Sequence, residues 1–204
     1  MGVDLIQTFT LSSDNFRNPD ELLFVGRLVE KKGVRYIILA MPEILKGHPK
    51  TQLLIAGDGP EKAELQKLAQ TIGVSHHVQF LGVINNTELP QLYRRAALFI
   101  APSIVAQGGD QEGLGLVFVE ALGCACPVVA SDLPAIKDVV SDGVTGLVCK
   151  QKDSADLAKK ILLLLDHPEQ AQALGQAGRQ YVLARFDWQI VARRYRDLIA
   201  ALPL

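Results

Sequence analysis

The 204-residue chain has no excess charge of either sign, with 21 Lys and Arg against 22 Asp and Glu, and only 6% of its residues are aromatic. Nucleic acids are gripped by a field of one sign and by stacked rings, so that class of partner is excluded. Any anionic ligand has to be met by a few residues placed locally. Cysteine is scarce and odd in number. Cys124, Cys126 and Cys149 lie among apolar neighbours, where thiols pack as small hydrophobes. Cys-Ala-Cys is not the spacing of a zinc knuckle, and His48, His76, His77 and His167 complete no ligand pattern with it. The expectation is a reducing, cytoplasmic setting, no metal and no cofactor beyond a substrate. Long hydrophobic runs are also missing. Glu120, glycine and proline interrupt the apolar stretches before they reach the roughly 20 residues of a membrane span. Residues 1–20 are polar and contain no signal-peptide core. Neither a Gly-x-Ser-x-Gly elbow nor a Ser-His-Asp arrangement is visible.

What is present is an alternation of short β-type runs with segments of helical period, the pattern of a parallel sheet with crossover helices. Leu22 to Val25, Gln52 to Ala56, Val78 to Leu81, Leu98 to Ala101, Val128 to Ala130 and Gly146 to Cys149 are apolar and mostly too continuous for a sheet with one wet face. Helices are expected over Val34 to Lys46, Glu61 to Ile72, Thr87 to Arg95, Leu114 to Gly123 and Ala135 to Val140. Pro60 is placed just inside the second, and Asn86 or Thr87 caps the third. From Asp153 the strands stop and three helices follow, over Ala155 to Leu165, Glu169 to Ala184 and Trp188 to Leu202, the first capped by Asp153 or Ser154. The expected fold is α/β, a doubly wound, Rossmann-like parallel sheet of about six strands with C-terminal helices. Residues 1–20 read as a linker remnant and 21–204 as the domain.

Open parallel sheets bind ligands outside the carboxyl ends of their strands, so the loops after strands carry the chemistry. In the first, Gly26-Arg27-Leu28-Val29-Glu30-Lys31-Lys32-Gly33, two glycines admit a ligand to the backbone. Arg27 offers a planar fork of donors and Lys32 a mobile charge, which suits a diphosphate. The same residues also fit a solvated loop beside Glu30. The second, Gly57-Asp58-Gly59-Pro60, satisfies the geometry of a strand-to-helix turn without completing Gly-x-Gly-x-x-Gly, and reads as structural. The third, Leu81 to Asn86, could bring backbone to a flat nucleobase near Val83 and Ile84. The fourth carries the strongest signal. After Ala101-Pro102-Ser103 and a polar stretch comes Glu112-Gly113-Leu114-Gly115-Leu116-Val117-Phe118-Val119-Glu120, where small residues at a helix start expose unpaired amides to an anion. Glu120, set among apolar residues, needs hydrogen-bond donors. Ligand hydroxyls or a structural partner would each serve.

Taken together, Gly-Arg-Leu-x-x-x-Lys-Gly and the Glu-x7-Glu spanning Glu112 to Glu120 resemble the group 1 glycosyltransferases, a retaining family with the GT-B fold. The resemblance extends through Phe80-Leu81-Gly82, Ala101-Pro102-Ser103, Pro127 to Asp132 and Asp142 to Val148, covering nearly all of residues 22–200. It implies that Arg27 and Lys32 hold the donor diphosphate, that Glu112 contacts sugar hydroxyls, and that the amides of Gly113, Leu114 and Gly115 face phosphate and sugar. Glu120 would bind ribose hydroxyls, with Gly26 beside the phosphates and the base at Val83 and Ile84. Catalysis would fall to Arg27, Lys32 and Glu112: the two cations, with the helix amides, would stabilise the departing diphosphate of a same-face displacement while Glu112 positions sugar hydroxyls, without a metal or a protein nucleophile.

The donor implied is a UDP- or GDP-linked hexose. The missing partner implied is an N-terminal, acceptor-binding domain of the same parent chain, through which any contact with a membrane surface would be made. Met1-Gly2-Val3-Asp4 resembles the interdomain connection, so the isolated chain is expected to be inactive. Leu133-Pro134-Ala135 departs from the paired glycines common in the family, and Ala106 to Gln111 is longer and more polar than in many members. Two other classes of function share these residues. A stand-alone nucleotide-sugar-binding module would bind without catalysis, and a sugar-nucleotide epimerase of the same architecture would need its own acid and base.

Overall fold

In the computed structural model, which describes residues 1–11 and 17–201, those residues form six strands and seven α-helices that alternate as far as β5. They are β1 Asn18–Val25, α1 Val34–Gly47, β2 Gln52–Ala56, α2 Lys62–Thr71, β3 Val78–Gly82, α3 Leu89–Arg95, β4 Ala96–Ala101, α4 Leu116–Gly123, β5 Val128–Ser131, β6 Leu147–Cys149, α5 Ser154–Asp166, α6 Pro168–Phe186 and α7 Trp188–Ala200. Neighbouring strands all pair in parallel, in the order β3-β2-β1-β4-β5-β6. The chain winds outward from β1 to β3, crosses back to lay β4 on the other side of β1, and winds outward again. That is the doubly wound, Rossmann-like sheet expected, with its topological switch between β1 and β4.

The run Leu22-Leu23-Phe24-Val25 explains why β1 is central. Leu22 and Phe24 enter the core shared with α1, α2 and α5, while Leu23 and Val25 enter the one under α3 and α4. The register carries this alternation sideways, setting Leu22 beside Leu53 and Leu98 and Leu23 beside Leu54 and Phe99. A slip of one residue would exchange the two faces, and both are apolar enough to hide it only at the cost of repacking. In the second core Phe9, Tyr93, Phe99 and Phe118 stack edge to face, with centroids 6.1, 5.4 and 6.0 Å apart along the row.

Several element ends differ from expectation. Pro60 lies before α2, because Gly59 N–H bonds Asp58 Oδ1 and Glu61 N–H bonds Leu28 O, which commits that turn to its neighbour. Neither Asn86 nor Thr87 caps α3. Its N-cap is Glu88, without a side-chain bond. The helix expected at Ala135 to Val140 is a single 3-10 turn, Pro134–Ile136. Helix α4 begins at Leu116, two residues late, because Gly115 is left-handed (φ 64°). Asp153 does cap α5, accepting from Asp156 N–H, and Leu202 lies outside the described residues. The opening segment is no separate linker in its packing. Val3, Leu5 and Phe9 are buried in the second core, Val3 N–H bonds Phe186 O, and Trp188 N–H bonds Val3 O.

Candidate functional site

In an open parallel sheet the place for a ligand crevice is the topological switch point, here the carboxyl ends of β1 and β4 and the loops that leave them. The loop after β1 is anchored by Leu28, fully buried, whose N–H bonds Asp58 O at 2.9 Å. Arg27 therefore stands exposed, and among the described residues its guanidinium has no ion-pair or hydrogen-bond partner. A 3-10 turn over Glu30–Lys32 ends at Gly33 in the left-handed region (φ 65°). A Cβ on Gly33 would overlap Pro102 O, so only glycine lets the β1 and β4 loops lie this close. Ile104 N–H closes the contact onto Lys31 O at 2.8 Å.

Each residue of that 3-10 turn reaches the segment before α4. Glu30 Oε1 accepts from Gln107 N–H at 3.0 Å, Lys31 Nζ meets Asp110 Oδ1 at 3.1 Å, and Lys32 Nζ pairs with Glu112 Oε2. Lys32 also passes over the start of the loop, its Cε 3.7 Å from where a Cβ on Gly26 would stand. At the head of α4, Gly115 is the N-cap and no side chain caps it. Phe118 N–H turns back onto Gly115 O at 3.0 Å, and the remaining first-turn amides, with the positive end of the helix dipole, are left to meet an anion. Gly113 is exposed with open space around it, and Leu114 packs partly on the second core. At the other end of α4, Arg17 donates to Cys124 O and Arg179 to Gly123 O, so two guanidinium groups satisfy the negative end.

On α4 the half-exposed face is Leu116, Val117 and Glu120, one turn apart, while Phe118, Val119, Ala121 and Leu122 are buried. Glu120 Oε2 accepts from the hydroxyl of Tyr93 at 3.0 Å. Burial pushes the Glu120 carboxyl above its ordinary range, and the Tyr93 bond pulls against that. Tyr93 is itself fully buried, and burial with the adjacent carboxylate drives its phenol well above the usual value. Sequence reading singled out Glu120 as a carboxylate in need of donors but missed Tyr93, the Lys32 to Glu112 pair and the two arginines at the carboxyl end of α4. Each is a contact between distant segments and leaves no local pattern.

The remaining loops divide as follows. Gly57 and Gly59 would each drive a Cβ into the β1 loop, against Gly26 O and Leu28 O respectively, which supports the structural reading of that turn. Val83 is 80% exposed after β3, and Ile84 packs partly on the second core. Two strand spacings, roughly 10 Å, separate them from β1. Among the described residues no three His, Cys, Asp or Glu side chains converge as a metal site. Burial pushes the thiols of Cys124 and Cys149 up to about 12 and that of Cys126 to about 11, so none is poised as a nucleophile. A cavity of about 690 Å³ lies at the opposite, amino-terminal edge of the sheet, lined by Arg17, Arg94 and Arg179, and holds none of the crevice residues. Arg17 is already spent there on four backbone carbonyls.

The sequence profile of the glycosyl transferases group 1 matches residues 9–181. The chain is 38% identical over 174 residues to glycogen synthase of Mycobacterium tuberculosis, covering 85% of this chain and 41% of that protein. It is 36% identical over 179 residues to the GDP-mannose-dependent monoacylated alpha-(1-6)-phosphatidylinositol monomannoside mannosyltransferase of Corynebacterium glutamicum, covering 87% and 46%. The chain thus spans less than half the length of these curated relatives. Its fold superimposes on the C-terminal domain of a group 1 family glycosyl transferase (LpcC) from Francisella tularensis with a TM-score of 0.80, at 24% identity, covering 92% of this chain and all of that one. With the profile spanning most of its length, the chain belongs to the group 1 glycosyl transferases.

Proposed function

We propose that the chain is the donor-binding half of a retaining hexosyltransferase and that the crevice between β1 and β4 takes a nucleoside-diphosphate sugar. One observation carries this reading. The Lys32–Glu112 contact ties the loop after β1, which also carries the exposed Arg27, to the segment leading into the uncapped head of α4, and Glu120 stands one turn further along that helix.

In this reading Arg27, Lys32, Gly26 and the amides of Leu114 and Gly115 hold the diphosphate and stabilise the charge it gains as the sugar departs, while the Gly113 amide beside them stays on Glu112 Oε1. Glu112 orients sugar hydroxyls and Glu120 the ribose. The base lies toward Val83 and Ile84, at a distance from β1 suited to an extended nucleotide. No metal is assigned to the reaction. The acceptor comes to a second domain, which the extra length of the curated relatives supports. Unpaired cysteines favour a cytoplasmic placement, and no described helix is long and apolar enough to cross a membrane. An epimerase would need a free acid and base here, whereas Glu112 is held by Lys32 and Glu120 by Tyr93.

Calorimetric titration with uridine, guanosine and adenosine diphosphates and their hexose conjugates tests the reading. One base should bind in both forms, and Arg27→Ala should weaken both alike, with a flatter salt dependence. Binding indifferent to Arg27 would remove the diphosphate assignment.

A further inference from the structure

The ion pair of Lys32 Nζ with Glu112 Oε2 joins two residues that the proposed roles send to different parts of one donor. Their side chains are only 16% and 11% exposed, so water screens neither charge well. Separating such a pair is unfavourable unless each member finds a new partner. Glu112 Oε1 already accepts from Gly113 N–H at 3.2 Å, which leaves Oε2 as the atom that changes hands.

Resting on the donor-site reading, we propose that this pair is an exchange switch by which the site favours the sugar-bearing donor over the bare nucleoside diphosphate left after transfer. A diphosphate draws Lys32 away from Glu112. When a sugar is attached, its hydroxyls donate to the released carboxylate and both charges stay satisfied. When the diphosphate is bare, Glu112 is left half-buried beside added negative charge with no donor. It then competes for Lys32 and loosens the grip on the phosphates. Loss of the sugar therefore restores the pair and promotes departure of the spent nucleotide. The contacts of Glu30 with Gln107 and of Lys31 with Asp110 keep Glu112 within reach of Lys32 throughout. The more exposed Lys31–Asp110 pair adds little stability by itself, and its effect is one of position.

The test is titration of uridine diphosphate, guanosine diphosphate, UDP-glucose and GDP-mannose into the parent chain, Glu112→Gln, Lys32→Ala and the double variant, with circular dichroism confirming folding. Glu112→Gln should bind the bare diphosphate about fivefold more tightly, roughly 1 kcal/mol at 1.4 kcal/mol per decade, and the sugar conjugate more weakly. Glu112→Ala should give the same signs and stands in if the Gln variant does not fold. In the Lys32→Ala background, loss of the Glu112 charge should change bare-diphosphate affinity by less than about twofold, since no cation remains to be released. Unchanged or weaker binding of the bare diphosphate by Glu112→Gln overturns the switch. So does an equal gain in the Lys32→Ala background, which would mark simple charge repulsion. A parent chain that binds none of the four ligands removes the donor-site reading and the switch with it, a result distinct from either of those.

Discussion

Glu120 shows how a single residue in this crevice is legible in part. Its position among apolar residues of a helix marks it from sequence as a carboxylate in need of donors. The donor it finds, Tyr93, is 27 residues away on α3 and appears in the sequence only as one aromatic of an amphipathic segment. The same holds for Lys32 and Glu112, each visible as a motif member but not as a pair. A prediction follows from the two opposed influences on Glu120, burial raising its pKa and the Tyr93 bond lowering it. Tyr93→Phe removes the lowering influence, so the carboxyl should titrate at still higher pH. If ionised Glu120 accepts the ribose hydroxyls, nucleotide affinity is lost as pH falls through that pKa. The loss should therefore begin at higher pH in the variant, with neutral-pH affinity reduced by about 1 kcal/mol. The stability sign is separate. A carboxyl with a raised folded pKa contributes stability that is present below its unfolded pKa and lost as pH rises through the folded one. Tyr93→Phe should thus be more destabilising near neutrality than in mild acid. Titration calorimetry and urea unfolding across that range check both, and a binding profile superimposable on the parent's would detach Tyr93 from the site.

At the scale of elements, the order of strands and helices was legible because each strand is a short apolar run and each helix keeps one apolar stripe. Their ends were less so, since a residue such as Pro60 or Gly115 answers to the neighbouring loop as well as to its own element. Gly33 is where this matters most for the site. The close approach of the β1 and β4 loops depends on it, and through that approach so do the contacts of Glu30, Lys31 and Lys32. Gly33→Ala meets backbone at Pro102, which cannot step aside as a side chain could, and adds a left-handed penalty of roughly 1–2 kcal/mol. The expected result is a loss of about 2 kcal/mol or more in urea unfolding, together with weakened nucleotide binding. Gly113→Ala is the control. It has open space for a Cβ, and its stability should stay within about 0.5 kcal/mol of the parent. Equal stability of the two variants would show that the loops do not need this contact.

At the scale of the whole molecule, the sequence makes the amphipathic stripe of the last helix visible, and the structure leaves that stripe without cover. None of α7's residues is buried, and Trp188, Tyr195, Leu198 and Ile199 are each at least 60% exposed. This helix begins where Val3 bonds Phe186 and Trp188, so the opening segment and α7 share one side of the domain. A row of large apolar side chains in water is unfavourable by about 25 cal/mol per Å² and calls for a partner. In the proposed function that partner is the remaining half of a longer transferase, which also supplies the acceptor site. Two outcomes are expected of the chain alone. It should bind nucleotide yet transfer no hexose to any acceptor, and the amides of α7 should exchange with solvent well ahead of those of β1. At high concentration α7 should associate with itself, and Leu198→Lys with Ile199→Lys should abolish that association while leaving urea unfolding within about 0.5 kcal/mol, since neither side chain supports the core. Robust transfer by the 204 residues would overturn the two-domain reading. An α7 as protected as β1 in a strictly monomeric sample would show instead that the helix needs no partner.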